Sequence, residues 1–169
     1  MQEATSAAFE SYYSKESYFK TGFNKIDNTV KISKGDYIII GGRPSSGKTT
    51  LATQTMLNMS KSAKIVFFSL ETNKVNIVNK LACSVGKIQL DKILNKTLTK
   101  EEERHFVETL SEIMSLNLEI VEAAGMTTNK IFTKTLQRQA DIIFIDHLSI
   151  INSNAKSMYE KVTRISNEI

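Results

Sequence analysis

Gly42-Arg43-Pro44-Ser45-Ser46-Gly47-Lys48-Thr49 has the spacing G-x-x-x-x-G-K-T, which suits a loop that holds phosphate. Glycine lets the backbone bend closely around phosphate oxygens with its N–H groups turned inward. A helix starting in the loop adds the positive end of its dipole. The Lys48 ammonium can reach β- and γ-phosphates, and the Thr49 hydroxyl can join a Mg²⁺ shell. Thr50 follows in the first helical turn. The candidate ATP-binding set is therefore Gly42, Arg43, Pro44, Ser45, Ser46, Gly47, Lys48, Thr49 and Thr50. A glycine-rich turn without a ligand is the other reading of such a segment. The context argues for phosphate: Tyr37-Ile38-Ile39-Ile40 predicts a buried strand before the loop, and residues 49–59 predict a helix after it.

Two carboxylates stand at the ends of apolar runs. Ala140-Asp141-Ile142-Ile143-Phe144-Ile145-Asp146 predicts a strand buried on both faces, as in a parallel sheet. Asp146 then emerges at its C-terminal edge, where a Walker B aspartate holds Mg²⁺ beside a phosphate loop, so Thr49 and Asp146 are the candidate metal ligands. Glu71 ends Ile65-Val66-Phe67-Phe68-Ser69-Leu70-Glu71. A carboxylate there could orient the water that attacks a γ-phosphate. By residue type alone it is equally a helix-capping or solvated loop acid.

These residues need a scaffold, and 169 residues suffice for one domain with a sizeable core. Apolar residues make up 41% and charged residues 24%, ordinary values for a globular chain. No apolar stretch is long enough to span a bilayer, and the first residues lack a signal-peptide pattern. One cysteine, Cys83, excludes an internal disulfide and offers no zinc cluster. Lying among Val75, Val78, Leu81 and Ala82 at helical spacing, it reads as a small packed residue. These features point to the cytoplasm. A net charge of +4, from 22 basic and 18 acidic residues, is compatible with a polyanionic partner.

Residues 1–20 read as a linker or N-terminal extension, with Phe9, Tyr12, Tyr13, Tyr18 and Phe19 close together. Such a tail could stack on nucleic-acid bases or pack on a neighbouring domain or subunit. Compact structure is predicted over 21–169. Lys34-Gly35-Asp36 reads as a turn feeding the phosphate-loop strand. A helix is predicted over about 73–84 with a break at Gly86, then a short apolar element at 88–94. Thr99 and Glu102 form a capping box for a helix whose inward face holds Phe106, Leu110, Ile113 and Met114. Leu118-Glu119-Ile120-Val121 predicts a strand, and Thr128 a cap for a helix carrying Ile131, Phe132 and Leu136. The order β-α-β-α-α-β-α-β predicts a parallel sheet with helical crossovers. Met158, Val162, Ile165 and Ile169 keep helical spacing to the last residue, which reads as a fragment, a cloning boundary or a truncated gene.

Together these segments resemble the C-terminal RecA-like motor domain of the DnaB-type replicative DNA helicases. Thr21-Gly22-Phe23-Asn24-Lys25-Ile26-Asp27 is similar to that family's lead-in motif. The phosphate loop matches down to its Arg-Pro pair, and Phe68-Ser69-Leu70-Glu71 resembles the second strand with the catalytic glutamate. Ile143-Phe144-Ile145-Asp146-His147-Leu148 resembles the Walker B strand and following loop, with His147 where the family usually has tyrosine. A contact of His147 with the nucleotide site and a plain packing role are both open.

The resemblance covers residues 21–169 and implies a RecA-like P-loop NTPase fold of class α/β, with helices on both faces of a parallel sheet and a truncated C-terminus. It implies ATP and Mg²⁺ as ligands, Glu71 and Lys48 as catalytic residues, and Arg43 as a residue that shapes the loop or touches a neighbouring group, without assigning it as an arginine finger. It also implies a homo-oligomer, usually a hexamer, around single-stranded DNA, with a helicase loader and primase as further partners and no membrane. The family's finger, sensor glutamine and second DNA-binding loop lie beyond the Walker B region. So does a strand that normally separates the phosphate-loop strand from the Walker B strand. Its absence leaves backbone groups unpaired in mid-sheet. The chain is therefore expected to belong to a helicase without unwinding DNA alone. The alternatives are a RecA-like recombination ATPase and a nucleotide-binding remnant without helicase activity.

Overall fold

Ile65-Val66-Phe67-Phe68 is apolar on both faces, and a strand of that kind is stable only inside a covered sheet. The computed structural model, which describes Thr5 and residues 18–148, places it there. In chain order the elements are α1 (Asn24–Thr29), α2 (Lys48–Met59), β1 (Ile65–Ser69), α3 (Lys74–Gly86), α4 (Leu90–Leu94), α5 (Lys100–Met114), β2 (Leu118–Glu122), α6 (Thr128–Arg138) and β3 (Ile142–Asp146). Among the described residues the sheet has three strands, in the order β2-β1-β3. Both pairings are parallel, with Ile65 opposite Leu118 and Ile142, and Ser69 opposite Glu122 and Asp146.

Alternate residues of β1 enter different cores. Ile65 and Phe67 pack with Met56 of α2, Ile77 and Leu81 of α3, and Ile113 of α5. Val66 and Phe68 pack with Val121 and with Ile131 of α6 on the other face. Phe67 also stacks on Phe144 across the β1–β3 pair, with ring centroids 6.3 Å apart. The predicted parallel sheet with helices on both faces is thus present.

Local signals account for several helix ends. The Thr99 hydroxyl accepts from the Glu102 N–H while the Glu102 carboxylate accepts from the Thr99 N–H, closing the predicted capping box. The Lys92 ammonium, then the Thr99 N–H, hold the Glu102 carboxyl below the usual carboxylate range. The break predicted at Gly86 is present: Gly86 is the last residue of α3, which ends at Lys87 in the left-handed region. A Cβ at Gly86 would lie 2.6 Å from Thr109 Oγ1, so glycine permits close approach of α3 and α5 rather than making the turn.

Other expectations need correction. Residues 36–43 form no strand, and Ile38, Ile39 and Ile40 are exposed, Ile39 at 65%. A strand exists through its ladder, and residues 38–40 have no ladder partner among the described residues. For the same reason β3 is half-buried rather than buried on both faces: it is an edge among the described strands. Helical spacing also overreaches. Met114 is 85% exposed, and Val75, Phe132 and Leu136 also face solvent. The N-cap of α6 is Thr127, not Thr128, and no side chain caps it. Cys83 is only partly buried, and burial raises its thiol pKa. Phe19, assigned to the extension, bridges to Ile32 and packs on the main core. Phe9, Tyr12, Tyr13 and the 158–169 pattern lie outside the described residues.

Phe67→Ala should cost about 3–5 kcal/mol, whereas Met114→Ala should change stability by less than about 0.5 kcal/mol. Urea titration of the two variants measures this. Comparable losses would show that Met114 is a core residue after all.

Candidate functional site

The phosphate loop is solvent-exposed from Gly41 to Gly47, and Lys48 and Thr49 are half-buried where it turns into α2. Ser46 N–H donates to the Arg43 carbonyl at 3.2 Å, folding the loop on itself. Gly47 precedes the helix at φ +89°, a conformation that would strain most other residues. No side chain caps α2, and the first helical bond closes from Leu51 N–H to the Gly47 carbonyl at 2.9 Å. The N–H groups of the opening turn thus have no acceptor within the helix, which favours an anion. Lys48 Nζ donates to the carbonyls of Gly42 (3.0 Å) and Arg43 (2.9 Å), so its ammonium lies across the loop.

The lead-in motif fastens this helix to the rest of the chain. The Asp27 carboxylate accepts from the Thr21 hydroxyl at 2.6 Å, the Thr21 N–H at 2.8 Å and the Gly22 N–H at 3.1 Å. These bonds, the Thr21 hydroxyl first, hold the Asp27 carboxyl below the usual range. Asn58 Nδ2, on α2, donates to the Thr21 carbonyl at 2.8 Å. Sequence reading found the motif but not Asn58 as its anchor, because a contact spanning 37 residues leaves no local signal.

The carboxylates come from the adjacent parallel strands. Ser69 is opposite Asp146, and Leu70 N–H continues the ladder to the Asp146 carbonyl at 2.8 Å. Asp146 therefore ends β3 beside the chain that leads from β1 to Glu71. The Ser69 hydroxyl donates to the Thr72 carbonyl, bracing the turn that carries Glu71. Glu71 Oε2 lies 3.1 Å from His147 Nδ1. Helix α2 packs against β3. The fold thus brings Glu71, Asp146 and His147 to one sheet edge. No hydrogen bond joins Lys48 or Thr49 to Asp146 or Glu71 among the described residues.

Among the described residues, no group of three or more His, Cys, Asp or Glu side chains could hold a metal ion. Mg²⁺ carried with a nucleotide needs only one or two protein oxygens, with phosphate and water completing its octahedron. A hydroxyl from Thr49 and a carboxylate from Asp146 fit that chemistry.

The profile of the DnaB-like helicase C terminal domain matches residues 19–169. The chain belongs to this family. Among curated relatives of this DnaB-like chain, a probable plasmid replicative DNA helicase of Chlamydia trachomatis is 32% identical over 151 residues, covering 80% of the chain and 32% of the relative. Replicative DNA helicase DnaC of Bacillus subtilis is 26% identical over 159 residues, covering 88% and 35%. The chain therefore spans about a third of the length of these curated relatives. A solved ATPase domain superposes with a TM-score of 0.85 at 26% identity, covering 99% of this chain and 64% of that one. A DnaB-like replicative helicase, solved in a study of its interactions with primase, gives 0.83 at 26% identity, covering 99% and 44%. The DnaB-like chain thus has the RecA-like α/β fold.

Asp27 gives a pH test of the lead-in motif. Its carboxyl is depressed on folding, so its contribution is complete above the unfolded value, about 3.9. It is lost as pH falls through the lower folded value. Asp27→Asn should lower the melting temperature at pH 7, and the gap from the parent should close as the pH drops below about 4. A gap that stayed constant with pH would mean that the charge of Asp27 plays no part.

Proposed function

We propose that this chain is the ATP-hydrolysing part of a ring-shaped replicative DNA helicase. The observation that carries the reading is the uncapped start of α2 behind the G-x-x-x-x-G-K-T loop, on a helix packed against the strand that ends in Asp146. In this reading residues 21–169 belong to the motor domain and residues 1–20 form an extension. The relatives named above favour replication over recombination.

Phosphate binds the loop and the first N–H groups of α2 through residues 42–50. Lys48 exchanges the carbonyls of Gly42 and Arg43 for β- and γ-phosphate oxygens and balances the charge that develops on them. Thr49 and Asp146 would hold Mg²⁺, which would supply neutralisation of phosphate charge. Glu71 orients the attacking water and accepts its proton. A bond forms from the water oxygen to the γ-phosphorus, and the bond to the β–γ bridging oxygen breaks, releasing ADP and phosphate.

Coupling to unwinding needs further copies of the protein around single-stranded DNA, in a hexamer by family resemblance. Primase is a proposed partner because a structurally similar helicase was solved in a study of its interactions with primase. A helicase loader is a further partner implied by the family. No described helix is long and apolar enough to cross a membrane, and we assign the protein to the cytoplasm.

Lys48→Ala should weaken Mg²⁺·ATP binding by about tenfold to a hundredfold, since it removes a charge-assisted partner of the phosphates. Glu71→Gln should retain binding but slow hydrolysis by about 10²–10⁴-fold. Calorimetric titration and single-turnover hydrolysis by the assembled protein read the two effects. Equal ATP affinity in the parent and Lys48→Ala would contradict the loop assignment, and rapid hydrolysis by Glu71→Gln would make Glu71 a structural residue.

A further inference from the structure

We infer that His147 is a positioning residue for Glu71: its Nδ1 holds one carboxylate oxygen and so leaves the other aimed for the attacking water. The inference deepens the proposed hydrolysis and rests on that reading of Glu71.

The backbone beneath both residues is anchored. Leu70, next to Glu71, is buried in the cluster of Val66, Phe68 and Val121, and Leu148, next to His147, packs against the same cluster. The Leu70 N–H bond to the Asp146 carbonyl, 2.8 Å long, ties the two chains together just before these side chains emerge. Position is therefore set by the core, whereas the side chains stay open to solvent, Glu71 at 64% and His147 at 40% exposure. A glutamate with that freedom populates many rotamers.

At 3.1 Å from Oε2, His147 Nδ1 is the one polar side-chain atom within ion-pair distance of the Glu71 carboxylate among the described residues. At that distance a small rotation of either exposed side chain lets a neutral imidazole protonated at Nδ1 donate to the carboxylate. An exposed pair of this kind adds little to stability. Its consequence is geometric: once that bond forms, Oε2 is engaged and Oε1 is left for water. Asparagine at position 147 would offer an amide N–H close to the place of Nδ1, whereas alanine offers none.

The test is steady-state ATP hydrolysis by the intact assembled protein, comparing the parent, His147→Ala, His147→Asn, Glu71→Gln and the Glu71→Gln/His147→Ala double variant. His147→Ala should lower kcat about tenfold while leaving KM for ATP within about twofold, because orientation rather than binding is lost. His147→Asn should recover most of the rate. On the Glu71→Gln background, His147→Ala should have no further effect, since the two residues act as one unit. A slow Glu71→Gln enzyme beside an unimpaired His147→Ala enzyme would overturn the positioning role and leave the catalytic reading of Glu71 intact. An equal loss from His147→Ala with and without Glu71 would also overturn it. A fast Glu71→Gln enzyme would overturn both readings.

Discussion

A strand in the middle of a parallel sheet satisfies its backbone only through its neighbours, and it can be apolar on both faces only if both are covered. β1 meets that condition: Ile65, Val66, Phe67 and Phe68 are fully buried, and β2 and β3 flank it. Parallel pairing has a chemical consequence. The chains leaving β1 and β3 emerge at the same edge, so Glu71 and Asp146 are neighbours because Ser69 and Asp146 are in register. An antiparallel β3 in the same place would send Asp146 to the opposite edge.

The site divides stability from chemistry. Its backbone is fixed by dry packing under the strand ends and by the Asp27–Thr21–Asn58 bonds that secure α2. The side chains proposed for the chemistry are exposed or half-buried and held by few bonds. Lys48 illustrates the arrangement. Its ammonium rests on two loop carbonyls, bonds that a phosphate oxygen can replace at little cost, while the helix carrying it stays packed against β3. A loop of this kind can close on a ligand without disturbing the core.

Much of this was legible in the sequence wherever the signal is local. The phosphate loop is one continuous motif, and the Thr99–Glu102 box is read from residues three positions apart. The apolar runs at 65–69, 118–122 and 142–146 became strands, and their terminal carboxylates could be placed at one edge once a parallel sheet was inferred. What failed depended on partners that periodicity does not reveal. Ile38, Ile39 and Ile40 have strand composition but no ladder among the described residues. Phe132 and Leu136 lie at spacings that suggest one helix face with Ile131, yet only Ile131 meets the sheet. Gly86 is rightly read as a helix end, but its close approach to Thr109 of another helix is tertiary and leaves no local signal. Asn58 and the Glu71–His147 contact were missed for the same reason.

The proposed hydrolysis requires the loop, α2 and the β3 edge to act together on one nucleotide. A structure of the intact protein with Mg²⁺ and a non-hydrolysable ATP analogue tests this most directly. The account predicts phosphates seated on the N–H groups at the start of α2, with Lys48 Nζ moved from the Gly42 and Arg43 carbonyls onto phosphate oxygen. It also predicts Thr49 and Asp146 at the metal and Glu71 facing the γ-phosphate. An analogue bound elsewhere, with Lys48 still on its own loop carbonyls, would contradict it.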